Sequence, residues 1–174
     1  MLPQNNTKLI NENRLKAVLN SMYYTNNPKL TSSADFGQLQ LIKCRIRQLY
    51  HINVNREALR EYVVYDLLTN LIQEELKNQR HIHNVEYQIS ATWETYEQAV
   101  IQFRQDTLTH SPILIGWSLL YYLYVHPDFR LSHNELASIV HIETRTLRRY
   151  KKRAICLLLQ HIIRLEIEYS RTSV

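Results

Sequence analysis

The stretch that decides the fold is Leu131–Arg153, which reads LSHNELASIVHIETRTLRRYKKR. Ser132 and Glu135 have the S-x-x-E spacing of a capping box, in which each side chain bonds to the backbone N–H of the other residue. Leu131 and Leu136 flank this pair at the two positions of a hydrophobic staple. Together these residues predict a short helix that starts at Ser132.

The spacing downstream predicts that this helix ends near Val140 and that a second helix starts near Glu143 or Thr144. This is the spacing of a helix-turn-helix, in which two short helices pack at a steep angle. Counted from His133 as the first motif position, the apolar positions are Leu136, Val140, Ile142, Leu147 and Tyr150. Ala137 supplies the small residue where the helices cross. The turn usually has a left-handed Gly, and His141 takes that place; His tolerates positive φ better than a β-branched residue does.

The remaining composition excludes several classes of protein. Gly and Pro together make up 6 of 174 residues, about 3% where average usage is about 12%. Gly37 and Gly116 stand alone, so the chain has no glycine-rich phosphate loop or dinucleotide fingerprint. The lack of turn residues also argues against an all-β sandwich or barrel. We therefore expect an all-α protein.

The positive charge is concentrated at the C-terminal end. The net charge is +5, of which residues 131–174 contribute 8 Lys and Arg against 4 Asp and Glu, or +4. No acidic residue occurs between Glu143 and Glu166. Such an asymmetry indicates a polyanionic partner, although a solvated basic helix face would look the same in the sequence.

The second helix of the motif carries the candidate DNA-binding residues. Arginines on its outer face can bond to guanine O6 and N7 and can neutralise phosphates. Threonines near its start can donate to phosphates where the helix dipole also attracts anions. The candidates are Thr144, Arg145, Thr146, Arg148, Arg149, Lys152 and Arg153. Because the basic face and the motif coincide, we predict binding to double-stranded DNA with a recognition helix at about 144–153.

Helical periodicity accounts for most of the remaining chain. Predicted helices cover 13–24, 35–50, 56–79, 91–106, 112–126 and, after the turn, 144–168. We divide the chain into a helical N-terminal part at 1–79, with a frayed start at 1–13, a linker at 80–90, and an extended helix-turn-helix domain at 91–174. The helix at 112–126 is apolar nearly all round and is therefore expected to be buried.

The C-terminal helix is apolar on more than one face beyond Arg153. One face is expected to pack on the helix at 112–126. The rest can pack on residues 13–76 or on a second copy of the chain, so a homodimer through this helix stays open.

The segment SHNELASIVHIETRTLRRYKKRAICLLLQ, at 132–160, resembles the helix-turn-helix heads of bacterial regulators related to sigma factor region 4 and to response-regulator output domains. The whole chain is similar, more loosely, to a helical module of bacterial multidomain regulators. The resemblance implies a trihelical helix-turn-helix domain after a helical N-terminal part, and DNA binding through Arg145, Arg148 and Arg149. It implies a transcription regulator of bacterial origin.

Two other functions remain open at this stage. The first is a protein-docking adaptor in a signalling or multidomain regulatory system, in which the basic helix meets an acidic partner. The second is a regulator whose helical N-terminal part binds a small molecule. A DNA fragment selection separates the first alternative from DNA binding, and a metabolite panel tests the second.

No set of residues indicates an enzyme, a cofactor or a metal site. His81 and His83 lack the cysteine or carboxylate partners that a metal site needs. Cys44 and Cys156 lie far apart in apolar runs, which predicts buried, reduced thiols. The start of the chain has no apolar signal segment, and the longest apolar run is shorter than the 20 or so residues of a membrane span. We therefore predict a cytoplasmic protein that does not contact a membrane.

Overall fold

The computed structural model describes residues 10–23, 36–50, 57–86, 95–126 and 131–172. This part of the chain is helical and contains no strand, which confirms the all-α fold. Its seven α-helices are α1 (Glu12–Tyr23), α2 (Gln40–Tyr50), α3 (Glu57–Ile82), α4 (Tyr96–Leu108), α5 (Pro112–Leu120), α6 (His133–Val140) and α7 (Thr144–Thr172). A 3-10 turn, Phe36–Gln38, precedes α2, and a π-helical segment, Tyr121–Val125, continues α5.

Several helix boundaries differ from the predicted ones. α4 starts at Tyr96 instead of residue 91, because Thr95 is its N-cap and forms a capping box with Gln98. α3 runs to Ile82, three residues into the predicted linker at 80–90. Of the start predicted to be frayed, residues 1–9 lie outside the described part of the chain, whereas Ile10 is buried.

The chain forms two compact units. One comprises Met1–Thr69 with Ile155–Val174, and the other comprises Asn70–Ala154. α3 and α7 each contribute to both units, so this grouping follows packing and differs from the predicted segments 1–79, 80–90 and 91–174. Those segments stay a prediction about domain organisation.

In the first unit, the second half of α7 packs within the chain. Ile155, Leu158 and Ile162 are each at most 1% exposed. Glu166, also buried, accepts hydrogen bonds from the backbone N–H groups of Gln40 and Leu41, each at 3.0 Å. These N–H groups belong to the first turn of α2, where no intrahelical acceptor exists. Glu166 therefore caps α2 from a distant part of the sequence.

In the second unit, α5 is the central helix, as its composition predicts. Its residues from Leu114 to Leu120 are all buried. Ser111 caps its start, with Pro112 in the first turn. Tyr122 and His126, after the helix, are also buried and their rings stack with centroids 6.0 Å apart.

A buried ion pair links three helices of this unit. Arg80 of α3 donates to Asp106 of α4 through Nε, at 3.0 Å to Oδ1, and through Nη2, at 2.8 Å to Oδ2. Ser118 of α5 donates to the same Oδ2 at 2.6 Å. Burial by itself lowers the pKa of Arg80, but the hydrogen bonds and negative charge of Asp106 outweigh it and raise that pKa above its ordinary value. The guanidinium therefore stays charged in the core.

Two further predictions concern the cysteines and the membrane. Cys44 and Cys156 are not joined by a disulfide bond, and they are half-buried where full burial was expected. Within the described part of the chain, no helix combines the length and apolar character needed to span a membrane.

Gly116 brings α5 and α7 into close contact. A Cβ atom placed on Gly116 would lie 2.7 Å from the carbonyl oxygen of Tyr150 and 3.0 Å from Cβ of Ala154. The first neighbour is helix backbone, which cannot move aside without displacing α7. Only glycine allows this spacing.

We therefore expect Gly116→Ala to destabilise the protein by about 1–3 kcal/mol, the usual cost of overpacking a core. Urea unfolding followed by circular dichroism measures it. Gly37→Ala is the matched control, because the nearest atom to its added Cβ is Arg60 Cβ at 3.4 Å, an ordinary contact. A urea midpoint equal to that of the wild type for Gly116→Ala would contradict the close approach.

Candidate nucleic-acid interface

The first helix of the motif has the predicted start. Ser132 Oγ accepts a hydrogen bond from Glu135 N at 3.2 Å, and Ser132 N donates to Glu135 Oε2 at 2.6 Å. Hydrogen bonding of the Glu135 carboxylate, first to the backbone N–H and then to the side chain of Ser132, lowers the pKa of Glu135. Leu131 and Leu136 of the staple are both buried, at 2% and 0% exposure. The capping box and the apolar staple are thus both formed.

The turn between the helices has the conformation that the motif requires. His141 is left-handed, with φ 55° and ψ 36°, at the position where Gly is usual. Its backbone N–H donates to Ala137 O, and Ile142 N donates to the same oxygen at 3.3 Å. α7 then starts at Thr144, so three residues separate the two helices. His141 therefore adopts the left-handed conformation that favours glycine.

A side chain from α4 contacts the end of α6. Arg104 Nε donates to the carbonyl oxygen of Ile139 at 3.1 Å. Ile139 is the penultimate residue of α6, where carbonyl groups lack partners within the helix. Nothing in the sequence pattern predicts this contact, because Arg104 and Ile139 are 35 residues apart.

Five cations form an exposed surface on the first turns of α7, which we call the basic face. They are Arg145, Arg148, Arg149, Lys152 and Arg153, and all five are exposed. Leu147 on the opposite side is buried at 0% exposure. In the described part of the chain, no carboxylate forms an ion pair with the basic face. Its charge is thus available to a partner.

The remaining candidates and the neighbouring lysine are less exposed. Thr144 and Thr146 are half-buried in the first turn of α7. Lys151 is also half-buried, and its Nζ donates to the hydroxyl of Tyr124 at 3.4 Å. Lys151 therefore contacts the core side of the helix, although the sequence places it within the same basic run.

His133, at the start of α6, lies close to the cations of α7. Its Nε2 is buried and has no hydrogen-bond partner among the described residues. Burial and the positive charges of Lys151 and Arg148 lower the pKa of His133 to about 4. The imidazole is therefore neutral at pH 7 and adds no charge to the interface.

The two histidines considered for a metal site lie on the surface of the described part of the chain. His81 and His83 are both exposed. Among the described residues, no group of three or more His, Cys, Asp or Glu side chains could bind a metal ion.

Sequence reasoning missed the buried Arg80–Asp106 pair, although a signal was present. Arg80 follows Ile72 and Leu76 at intervals of four residues, so it continues the buried stripe of α3. Asp106 follows Phe103 by three residues on the inward face of α4. A charge of opposite sign on each apolar face indicates a buried pair.

Comparison with known proteins identifies no relative of this chain. No protein-family model, curated protein or solved structure matches the chain. The resemblance to bacterial helix-turn-helix regulators therefore stays a prediction from the sequence.

The low pKa of His133 predicts that the stability of the fold depends on pH. Between about pH 6.5 and pH 4 the unfolded chain binds a proton on this residue that the folded chain does not, so lowering the pH through this range destabilises the fold. We expect the stability difference between the wild type and His133→Gln to shift against the wild type as the pH falls from 7 to 4.5.

Urea unfolding at several pH values measures this difference, and an NMR titration of the wild-type imidazole gives its pKa directly. An imidazole that titrates near 6.5 in the folded protein would contradict the burial of His133.

Proposed function

We propose that the chain binds double-stranded DNA in a sequence-specific manner and regulates transcription, with residues 144–153 as a recognition helix in the major groove. The observation that supports this most strongly is the basic face. Its five cations are exposed and lie on the helix that follows a capped helix and a three-residue turn. The cytoplasmic location and bacterial origin that the sequence predicts belong to the same proposal, which assigns no enzymatic activity.

The dimensions of the basic face suit a major groove. From Arg145 to Arg153 the helix rises about 12 Å, at 1.5 Å per residue. The major groove of B-DNA is also about 12 Å wide and admits an α-helix. The cations therefore occupy a length of helix that one groove can enclose.

The angular positions of the cations suggest separate roles. At 100° per residue, Arg145, Arg149 and Lys152 fall within a sector of about 60° at the centre of the basic face. Arg148 and Arg153 lie on opposite sides of that sector. With the centre directed to the floor of the groove, the three central residues reach base edges and the two flanking residues reach phosphates.

The threonines at the start of the helix suit phosphate contacts. Thr144 and Thr146 lie in the first turn of α7, where the helix dipole favours an anion. Their half-buried side chains leave the central sector to the arginines. We therefore assign them a role in orientation and not in base recognition.

A homodimer remains part of the proposal, although α7 has little exposed apolar surface to form it. Among the apolar residues of α7 beyond Arg153, Ile167 is exposed, at 38%, and the others are buried or half-buried. The structure thus gives this helix little fully exposed apolar surface for a partner copy. A palindromic binding site indicates a dimer, because half-site spacing follows protein symmetry.

Selection from a random pool of DNA duplexes tests the proposal. We expect an enriched motif, and salt-dependent binding of the enriched duplex in a fluorescence-anisotropy titration. An absence of both enrichment and salt-dependent binding at low ionic strength overturns DNA binding and favours the protein-docking adaptor. Binding without enrichment overturns sequence specificity.

The double variant Arg148→Ala/Arg149→Ala gives a direct prediction. It should weaken binding through the loss of both side chains. The slope of log K against log salt should fall by about 0.9, because Arg148 is assigned a phosphate contact whereas Arg149 is assigned a base contact. The matched control is Arg47→Ala/Arg164→Ala, which removes the same charge from two exposed positions in the other compact unit. Equal losses of DNA affinity in the two double variants would show that net charge, and not the basic face, determines binding.

A further inference from the structure

Arg104 connects a helix outside the motif to the turn within it. Its Nε donates to Ile139 O at the end of α6, at 3.1 Å. A cation is favourable there because the carbonyl end of a helix carries partial negative charge. Arg104 is thus a cap for α6 that comes from another helix.

The other end of this connection is anchored in the core. Asp106, two residues beyond Arg104, accepts the buried hydrogen bonds of Arg80 and Ser118. Thr107 Oγ1 donates to the backbone carbonyl of Arg104 at 2.7 Å. The backbone of α4 at Arg104 therefore has a defined position relative to α3 and α5.

The turn that follows Ile139 is too short to absorb a displacement of α6. Only His141, Ile142 and Glu143 separate α6 from α7, and the first of these is in the sparsely populated left-handed region. Two of their backbone N–H groups bond to Ala137 O. A shift of the last turn of α6 therefore moves the start of α7.

We propose that Arg104 is a positioning residue for the recognition helix: it holds the end of α6 and thereby sets the direction of the basic face. The inference rests on the proposed DNA binding. The competing role for an exposed arginine is a direct phosphate contact. The two roles differ in the salt dependence of binding, because only a phosphate contact releases counterions.

Hydrogen exchange of Arg104→Ala tests the structural half of the proposal without DNA. We expect faster exchange at the amides of His141 and Ile142, whereas the amides in the centre of α5 keep their wild-type rates. Wild-type rates throughout would overturn the proposal. Faster exchange throughout would also overturn it, because Arg104 would then be a general stability residue.

DNA binding tests the functional half, with the duplex enriched by the wild type and a scrambled duplex of equal composition. For Arg104→Ala we expect the ratio of the two affinities to fall by about five- to tenfold, which is within the range for one exposed hydrogen bond of ordinary net strength. The salt slope should stay at its wild-type value. Arg47→Ala, which also removes one exposed charge, should leave the ratio unchanged.

A salt slope reduced by about 0.9 with an unchanged ratio would overturn the proposal and make Arg104 a phosphate contact. A wild type that binds neither duplex would remove the proposed function and the DNA-related role of Arg104 with it. The exchange experiment would still show whether Arg104 holds the turn, so the two failures are distinguishable.

Discussion

The buried pair of Arg80 and Asp106 is the interaction on which the second compact unit depends. Removing two charges from water is costly, and the cost is offset only when geometry and further hydrogen bonds are good. Here the carboxylate accepts from both Nε and Nη2 of Arg80 and from Ser118. Loss of one partner would leave a buried charge, at a cost of about 3–5 kcal/mol. The pair therefore restricts how α3, α4 and α5 can pack.

The position of the start of α7 follows from this packing. α4, which contains Asp106, reaches the end of α6 through Arg104. α5, which contains Ser118, contacts α7 closely at Gly116. The position of the start of α7 thus depends on α4, which acts through Arg104 and the turn, and on α5, which contacts α7 directly at Gly116. Both contacts are needed to present the basic face in one direction, because exposed arginine side chains do not determine the direction of their own helix.

Features that depend on neighbouring residues were predictable. The capping box of Ser132, the left-handed residue at His141 and the burial of α5 each follow from residue types a few positions apart. The late start of α4 was also visible in principle, because Thr95 and Gln98 have capping-box spacing. The half-burial of the cysteines was not predictable, since apolar neighbours in sequence do not specify how deep a side chain lies.

The sequence by itself determined the helical class, the helix-turn-helix spacing and the concentration of positive charge in residues 145–153. These properties arise from hydrogen bonds and periodicities that span one or two helical turns. Only the tertiary structure decided which charged side chains remain exposed and which form hydrogen bonds within the protein. Lys151 contacts Tyr124, and Glu166 caps α2 across 125 residues of sequence. Such pairings depend on the path of the whole chain, because burial makes an unpaired polar group costly wherever its partner lies in the sequence.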